Sequence, residues 1–270
     1  MKTSSLNRFL TEAGIEKGSH LILHASFRNL KNNIQLNYPL EFIETLKNHV
    51  TKRGSIIVPG FTYCFARTTV QNVLFRRELK PVTGALSVAV AGDLEFIRTS
   101  SPTHSFYIWG SILHRVKFDN NPLSPLGKGS VLEHLSKENN SFAFLAGVNF
   151  SSFTFLHYLE SYFQVPYLKF NPWKKMGVIN QSLYLSGFQP VIEIPGCAKS
   201  FTTFENYLLE SGLIVKQKMG DSFCYLINLK KLTQNAKDFY KNDFLKLLCP
   251  ADSHCVCCTA RRDFLNEINF

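Results

Sequence analysis

Three apolar runs that break off at small polar residues constrain this chain more than any other feature. They are His20-Leu-Ile-Leu-His24, Gly54-Ser-Ile-Ile-Val-Pro59 and Phe142 to Val148. Runs this short, uninterrupted by polar residues, read as strands buried on both faces, as in a parallel sheet. Between the first two, Leu40, Ile43, Leu46 and Val50 recur at helical spacing over Tyr38 to Val50. After the third, Leu156, Leu159 and Phe163 do the same, preceded by Ser151, Ser152 and Thr154 where N-caps belong. Strand, polar turn, helix and strand in this order describe an α/β sheet, and such sheets bind ligands beyond the carboxyl ends of their strands.

Three polar loops are therefore candidate site walls, and each carries a histidine. They are His24-Ala-Ser26-Phe27-Arg28, Ser100-Ser-Pro-Thr-His104-Ser105 and Asn149 to His157. Taken singly, each is ordinary capping and turn chemistry; taken together, they predict one shared pocket. His157 sits in the first turns of a helix, and histidine is the side chain best suited to removing a proton near neutral pH. Two carboxylates could orient it. Glu160 lies three residues on, within helical reach, and Glu205 sits early on a later helix.

The remaining elements are read as follows. Helices are expected over Thr3 to Gly14, Gly84 to Glu95, Val131 to Ser136, Phe201 to Ser211 and most of Leu229 to Leu248. Strands are expected at Phe106 to Gly110 and within Lys216 to Leu226. A hairpin is expected in Val178-Ile-Asn-Gln-Ser-Leu-Tyr-Leu, with its turn between two strand-like runs. The whole, residues 1–270, reads as one domain: a three-layer α/β/α sandwich with a largely parallel central sheet and an elaborated C-terminal part carrying a β-hairpin.

Composition narrows the function classes. Hydrophobic residues make up 45% and charged residues 19%, a globular balance. No apolar run approaches the roughly 20 residues that span a bilayer, and the first residues lack a signal peptide's apolar core. A cytoplasmic protein without a membrane partner is expected. The net charge of +10 is scattered, with only short groups such as Lys174-Lys175 and Arg261-Arg262. This argues against nucleic acid and reflects either background composition or a preference for an anionic small ligand. P-loop, dinucleotide and nucleophile-elbow motifs are missing.

Of seven cysteines, Cys64, Cys197 and Cys224 stand alone among apolar neighbours. The other four crowd Cys249-Pro-Ala-Asp-Ser-His254-Cys255-Val-Cys257-Cys258, where Cys255 and Cys258 have the spacing of a zinc knuckle. With no second well-spaced pair, reduced thiols packing a C-terminal segment are the preferred reading, and no metal is expected.

An ordered set of motifs resembles a known family. Leu21-Ile-Leu-His24-Ala-Ser26-Phe27-Arg28 opens it, followed by Gly54-Ser-Ile-Ile-Val-Pro-Gly-Phe-Thr62 and Thr83-Gly84-Ala-Leu-Ser87. Then come Arg98 with Ser101-Pro-Thr-His104-Ser105, Ser124-Pro-Leu-Gly127-Lys-Gly129-Ser130, and Thr154-Phe-Leu-His157-Tyr-Leu-Glu160. Together, from about residue 5 to 260, they resemble the aminoglycoside 3-N-acetyltransferases. The resemblance implies direct transfer of an acetyl group from acetyl-CoA to an amine of an amino sugar, without an acyl-enzyme. It implies His157 as the base and makes Glu205 the match to the carboxylate that orients it. Ser26, Phe27, Arg28, Thr83, His104 and Ser105 become candidates for holding the cofactor. A homodimer is compatible with it.

The chain departs from the family pattern in two places. Ser101 stands where many members have a histidine. The stretch Gly147 to Thr154 has Phe150, Ser151 and Phe153 and lacks the acidic residue that resistance enzymes carry there. A polycationic drug wants carboxylates. The expected acceptor is therefore an amino sugar of the kind used in surface-polysaccharide synthesis, including sugar nucleotides. A true aminoglycoside resistance enzyme, a degenerate binding member of the family and a small zinc-dependent nucleic-acid binder are the alternatives.

Overall fold

The computed structural model describes residues 4–31, 36–69, 71–116, 124–191 and 195–268. Its centre is a seven-stranded sheet: β1 (His20–Ala25), β2 (Ser55–Pro59), β3 (Ile97–Arg98), β4 (Phe106–Gly110), β5 (Ser141–Ala146), β6 (Ile214–Met219) and β7 (Ser222–Asn228). In space they run β6-β7-β5-β1-β2-β4-β3. The three inferred strands form the parallel heart, with β1 between β5 and β2 (Leu21 opposite Phe142 and Ile56). The flanking pairs are antiparallel, β7 on β5 at one side and β4 on β2 at the other.

The unbroken apolar runs follow from burial on both faces. Leu21, Leu23, Ile56, Val58, Phe144 and Ala146 point into one core, with Leu10, Phe42, Ile43 and Leu46 from helices α1 (Ser4–Glu12) and α2 (Pro39–Val50). Ile22, Ile57, Ala143 and Leu145 point into the other, the period-two alternation of a strand. There they meet α4 (Val131–Lys137), α5 (Phe155–Tyr162), α6 (Phe204–Glu210) and α7 (Leu229–Asn235). The result is the expected three-layer α/β/α sandwich. A further helix, α3 (Ala85–Val90), packs on α2 and β2, and α8 (Val256–Glu267) closes the chain. No described helix is long and apolar enough to cross a membrane.

Several elements differ from their sequence reading. Thr3 lies outside the described residues. The 84–95 helix stops at Val90 and continues as turns. The 201–211 helix begins as a 3-10 segment, Lys199–Thr203, before α6. The hairpin expected within 178–185 is shifted. Val178–Ile179 pairs with Ala66–Arg67, and the true hairpin joins Gln181–Tyr184 to Gly187–Pro190 across Leu185-Ser186. Gly187, at φ +99°, opens its second strand in a conformation only glycine adopts freely. The single strand inferred in 216–226 is two, β6 and β7, joined at Gly220-Asp221.

Candidate active site

The carboxyl ends of β1, β2 and β5 open into a cleft of about 880 Å³, and all three loop histidines, His24, His104 and His157, line it. The predicted shared pocket is thus present.

The His157 wall begins where β5 ends. Gly147 turns the chain at φ +66°, so close to α-helical neighbours that a Cβ there would meet Asn29 Cβ at 3.1 Å. Its carbonyl accepts from Asn29 Nδ2 at 2.8 Å. Asn149 Oδ1 then caps a short 3-10 turn by accepting from Ser151 N–H at 3.1 Å. This turn runs into α5, so Thr154 at the N-cap is already helical (φ −56°, ψ −26°) and makes no side-chain cap. Ser151, Ser152 and Thr154 face the cleft; the capping is done by Asn149.

Every residue from Phe155 to Glu160 is buried, so α5 carries its polar pair into the core. At a spacing of three, His157 and Glu160 share a face. His157 Nδ1 lies 2.7 Å from Glu160 Oε2. The Tyr167 hydroxyl donates to Glu160 Oε1 at 2.5 Å, and the Arg261 guanidinium lies over the Tyr167 ring at 5.0 Å. Burial opposes ionisation of Glu160. The charge and hydrogen bond of His157, the Arg261 charge and the Tyr167 hydroxyl outweigh it and keep this carboxyl below its ordinary range. An ionised carboxylate only accepts. His157 Nδ1 therefore carries a hydrogen, and Nε2, in a ring that lines the cleft, is the nitrogen that can exchange a proton with a ligand.

Glu205 is not brought to His157. It pairs with Lys216 Nζ at 2.8 Å, on the antiparallel side of the sheet. The two carboxylates thus separate by experiment. Glu160→Gln removes a charge-assisted bond worth about 1.5–3 kcal/mol, so turnover should drop by about 10–150-fold. Glu205→Gln breaks a partly exposed ion pair away from His157 and should leave steady-state rates unchanged. Equal rates for wild type and Glu160→Gln would remove Glu160 from this role.

The other candidates divide. Thr83 lines the cleft, but its hydroxyl donates to the Pro59 carbonyl at 2.8 Å, beside Ser87 Oγ on the same oxygen at 2.6 Å. His104 is buried, with Nδ1 3.0 Å from Thr103 Oγ1 and its ring edge-on to Phe61 at 4.7 Å. Burial, with some repulsion from His157, pushes it down to about 3. It is a neutral imidazole close to His157. His24 is likewise pushed down to about 3 by burial. Ser105 does not reach the cleft. It is wholly buried, accepts from Arg98 Nε at 2.9 Å and donates to the Gly60 carbonyl at 2.7 Å. Arg98 Nη2 also reaches Gly60 O at 2.8 Å, so this pair fixes the turn after β2. Ser26, Phe27 and Arg28 follow His24 and Ala25 but are not among the lining residues. Ser101 supports the loop it stands in, its Oγ accepting from the His104 N–H at 3.0 Å.

One wall was missed in the sequence. Tyr63, Phe65 and Trp173 line the cleft as a stack, Tyr63 on Phe65 at 6.4 Å and Phe65 on Trp173 at 6.5 Å with planes 14° apart. Tyr63 sits at φ +49°, a costly conformation for a bulky residue. Trp173 arrives from a segment with no motif.

The model of the aminoglycoside 3-N-acetyltransferase family matches residues 22–241. The chain belongs to this family. It is accordingly an acyltransferase. No curated protein matches it, but solved structures of the family share its fold. Aminoglycoside acetyltransferase AAC(3)-IVa, as apoenzyme, superposes with a TM-score of 0.79 at 23% identity, over 97% of this chain and 96% of that one. A His-to-Ala variant of that enzyme in complex with a gentamicin gives 0.78 at 23%, over 96% of each. AAC-IIIb in a binary complex with CoASH gives 0.68 at 16%, over 88% of this chain and 95% of that one. In this acetyltransferase, the ordered motifs seen in the sequence are thus the loops around one cleft.

Proposed function

We propose that this family member transfers an acetyl group from acetyl-CoA to the amine of an amino sugar, with His157 as general base. The observation that carries the reading is the buried His157–Glu160 pair, closed at 2.7 Å and opening on a cleft. Acetyl-CoA brings the acyl group as a thioester. His157 Nε2 removes the proton of the attacking amine as the new N–C bond forms. Glu160 balances the imidazolium that results, and Tyr167 keeps Glu160 aimed. His157 then returns the proton as the C–S bond breaks. The exposed Lys199 at the cleft suits a polyanionic co-substrate. The Tyr63–Phe65–Trp173 stack offers flat apolar faces for a sugar ring or a base.

The acceptor we favour is an amino sugar that is not a polycation, with a nucleotide-linked one the best fit. Among the described lining residues there is no Asp or Glu, and the one Lys or Arg is Lys199, so the carboxylates that a polycationic acceptor would pair with are missing. A free-thiol release assay with acetyl-CoA, against UDP-linked amino sugars, free amino sugars and aminoglycosides, tests this. Turnover of the sugar nucleotides well above that of gentamicin is expected. Rapid acetylation of gentamicin with none of the amino sugars would make this chain a drug-modifying enzyme. No thiol release with any amine would favour the degenerate binding member.

A further inference from the structure

Four cysteines from three separate parts of the chain converge beside the cleft. The Sγ atoms of Cys197, Cys249, Cys255 and Cys258 all lie within 4.8 Å of one another, and those of Cys197 and Cys249 are 3.6 Å apart. A disulfide needs about 2.05 Å. A tetrahedron of thiolates around zinc, with Zn–S of about 2.3 Å, has S···S edges of about 3.8 Å. The Cys197–Cys249 pair has the second spacing, and the other sulfurs stay within reach of the same centre. We propose that these four cysteines bind one zinc ion in a closed tetrathiolate site.

The surroundings suit that ion. Cys255 and Cys258 form a knuckle at the start of the 12-residue helix α8, with Cys255 at its N-cap, where first-turn amides and the helix dipole favour thiolate. His254, at φ +52°, sets the turn into it. The Lys199 amide donates to Cys197 Sγ at 3.4 Å, a backbone bond to a ligand sulfur. Arg262 Nε donates to the Cys249 carbonyl at 3.1 Å, bringing a cation beside a site whose net charge would be negative. A soft all-sulfur set selects zinc over the hard cations. Binding releases the four thiol protons to solvent and changes no oxidation state. Cys257 is the odd thiol of the tail, outside the cluster. This reading replaces the expectation of packed, metal-free thiols.

With four protein ligands no coordination position is left for chemistry, so the role is architectural. Cys197 and Cys255 belong to two stretches, Pro195 to Lys199 and His254 to Cys257, that together make one cleft wall. The ion joins them. It also fixes α8, whose Arg261 covers Tyr167 and passes so close to the 195–199 loop that a Cβ at residue 196 would collide with Arg261 Nη1.

The test is metal analysis of the full chain, produced in zinc-supplemented medium and purified without chelator. One zinc per chain is expected, lost in Cys258→Ser and retained in Cys224→Ala, whose thiol lies in the opposite core. Should Cys258→Ser prove insoluble, wild type is titrated with p-hydroxymercuribenzoate while released zinc is followed with a chromogenic chelator. Release complete only after four thiols have reacted supports the site. Cobalt exchange should add a thiolate-to-metal charge-transfer band. Absence of stoichiometric zinc with all seven thiols reacting together overturns the proposal. So does a Cys197–Cys249 disulfide in peptide mapping, or iron in place of zinc.

Discussion

His157→Ala is expected to lower kcat for acetyl transfer by about 10²–10⁴-fold, the usual worth of a positioned general base. Affinity for acetyl-CoA should stay within a few-fold of wild type, because the role proposed for the imidazole is on the amine proton and not on the cofactor. The background rate should rise with pH as solvent takes over deprotonation, so the deficit narrows under alkaline conditions. A structural histidine would behave differently. His157 packs against Phe201 at 4.7 Å, and loss of that contact would lower thermal stability with little pH dependence of the residual rate. His157→Gln keeps the ring's approximate volume and a donor for Glu160. It should be folded as well as wild type and nearly as inactive as the alanine variant. Full activity in His157→Gln would sink the assignment. Removing the imidazole also leaves the Glu160 carboxylate buried without its main partner, so His157→Ala should be the less stable of the two.

The parts of this molecule that were legible in the sequence are those set by local physics. β1, β2 and β5 showed themselves because a strand covered on both faces is apolar through its middle. Glu160 was legible because a spacing of three on one helix fixes which side chains meet. Glu205 was a long-range match carried over from a resemblance, and nothing in its local sequence speaks of Lys216, its actual partner. The pair β6 and β7 was read as one strand although Gly220-Asp221 is a two-residue hairpin signal, and Gly220 does sit at φ +61°. Lys216 and Lys218 on the half-exposed first strand masked the alternation there. Cys197 shows the deepest limit. It lies 52 residues from Cys249 with no spacing rule between them, and only the tertiary fold makes it a neighbour.

Mild acid should destabilise this protein, because its cleft is built around two imidazoles that cannot charge in place. His24 and His104 are wholly buried and pushed down to about 3 by desolvation, whereas an unfolded histidine titrates near 6.5. Below about 6.5 the unfolded chain therefore binds more protons than the native one, and stability falls with pH until the native groups titrate. The contribution is fully present above pH 6.5 and declines through the window down to about 3. At about 1.4 kcal/mol per pH unit and site, the two histidines together cost the fold on the order of 4 kcal/mol between pH 6.5 and 5. For a chain of this size that is a drop in Tm of roughly 8–16 °C. Glu160 adds to the trend only at lower pH, since its depressed carboxyl must protonate before its bonds to His157 and Tyr167 are lost. Thermal melts of wild type and His104→Asn from pH 7.5 to 5 check the argument. The variant removes one of the buried titrating groups, so its Tm should fall less steeply. Parallel slopes for the two proteins would mean that His104 is protonated in the native state and that the cleft admits more water than its walls suggest.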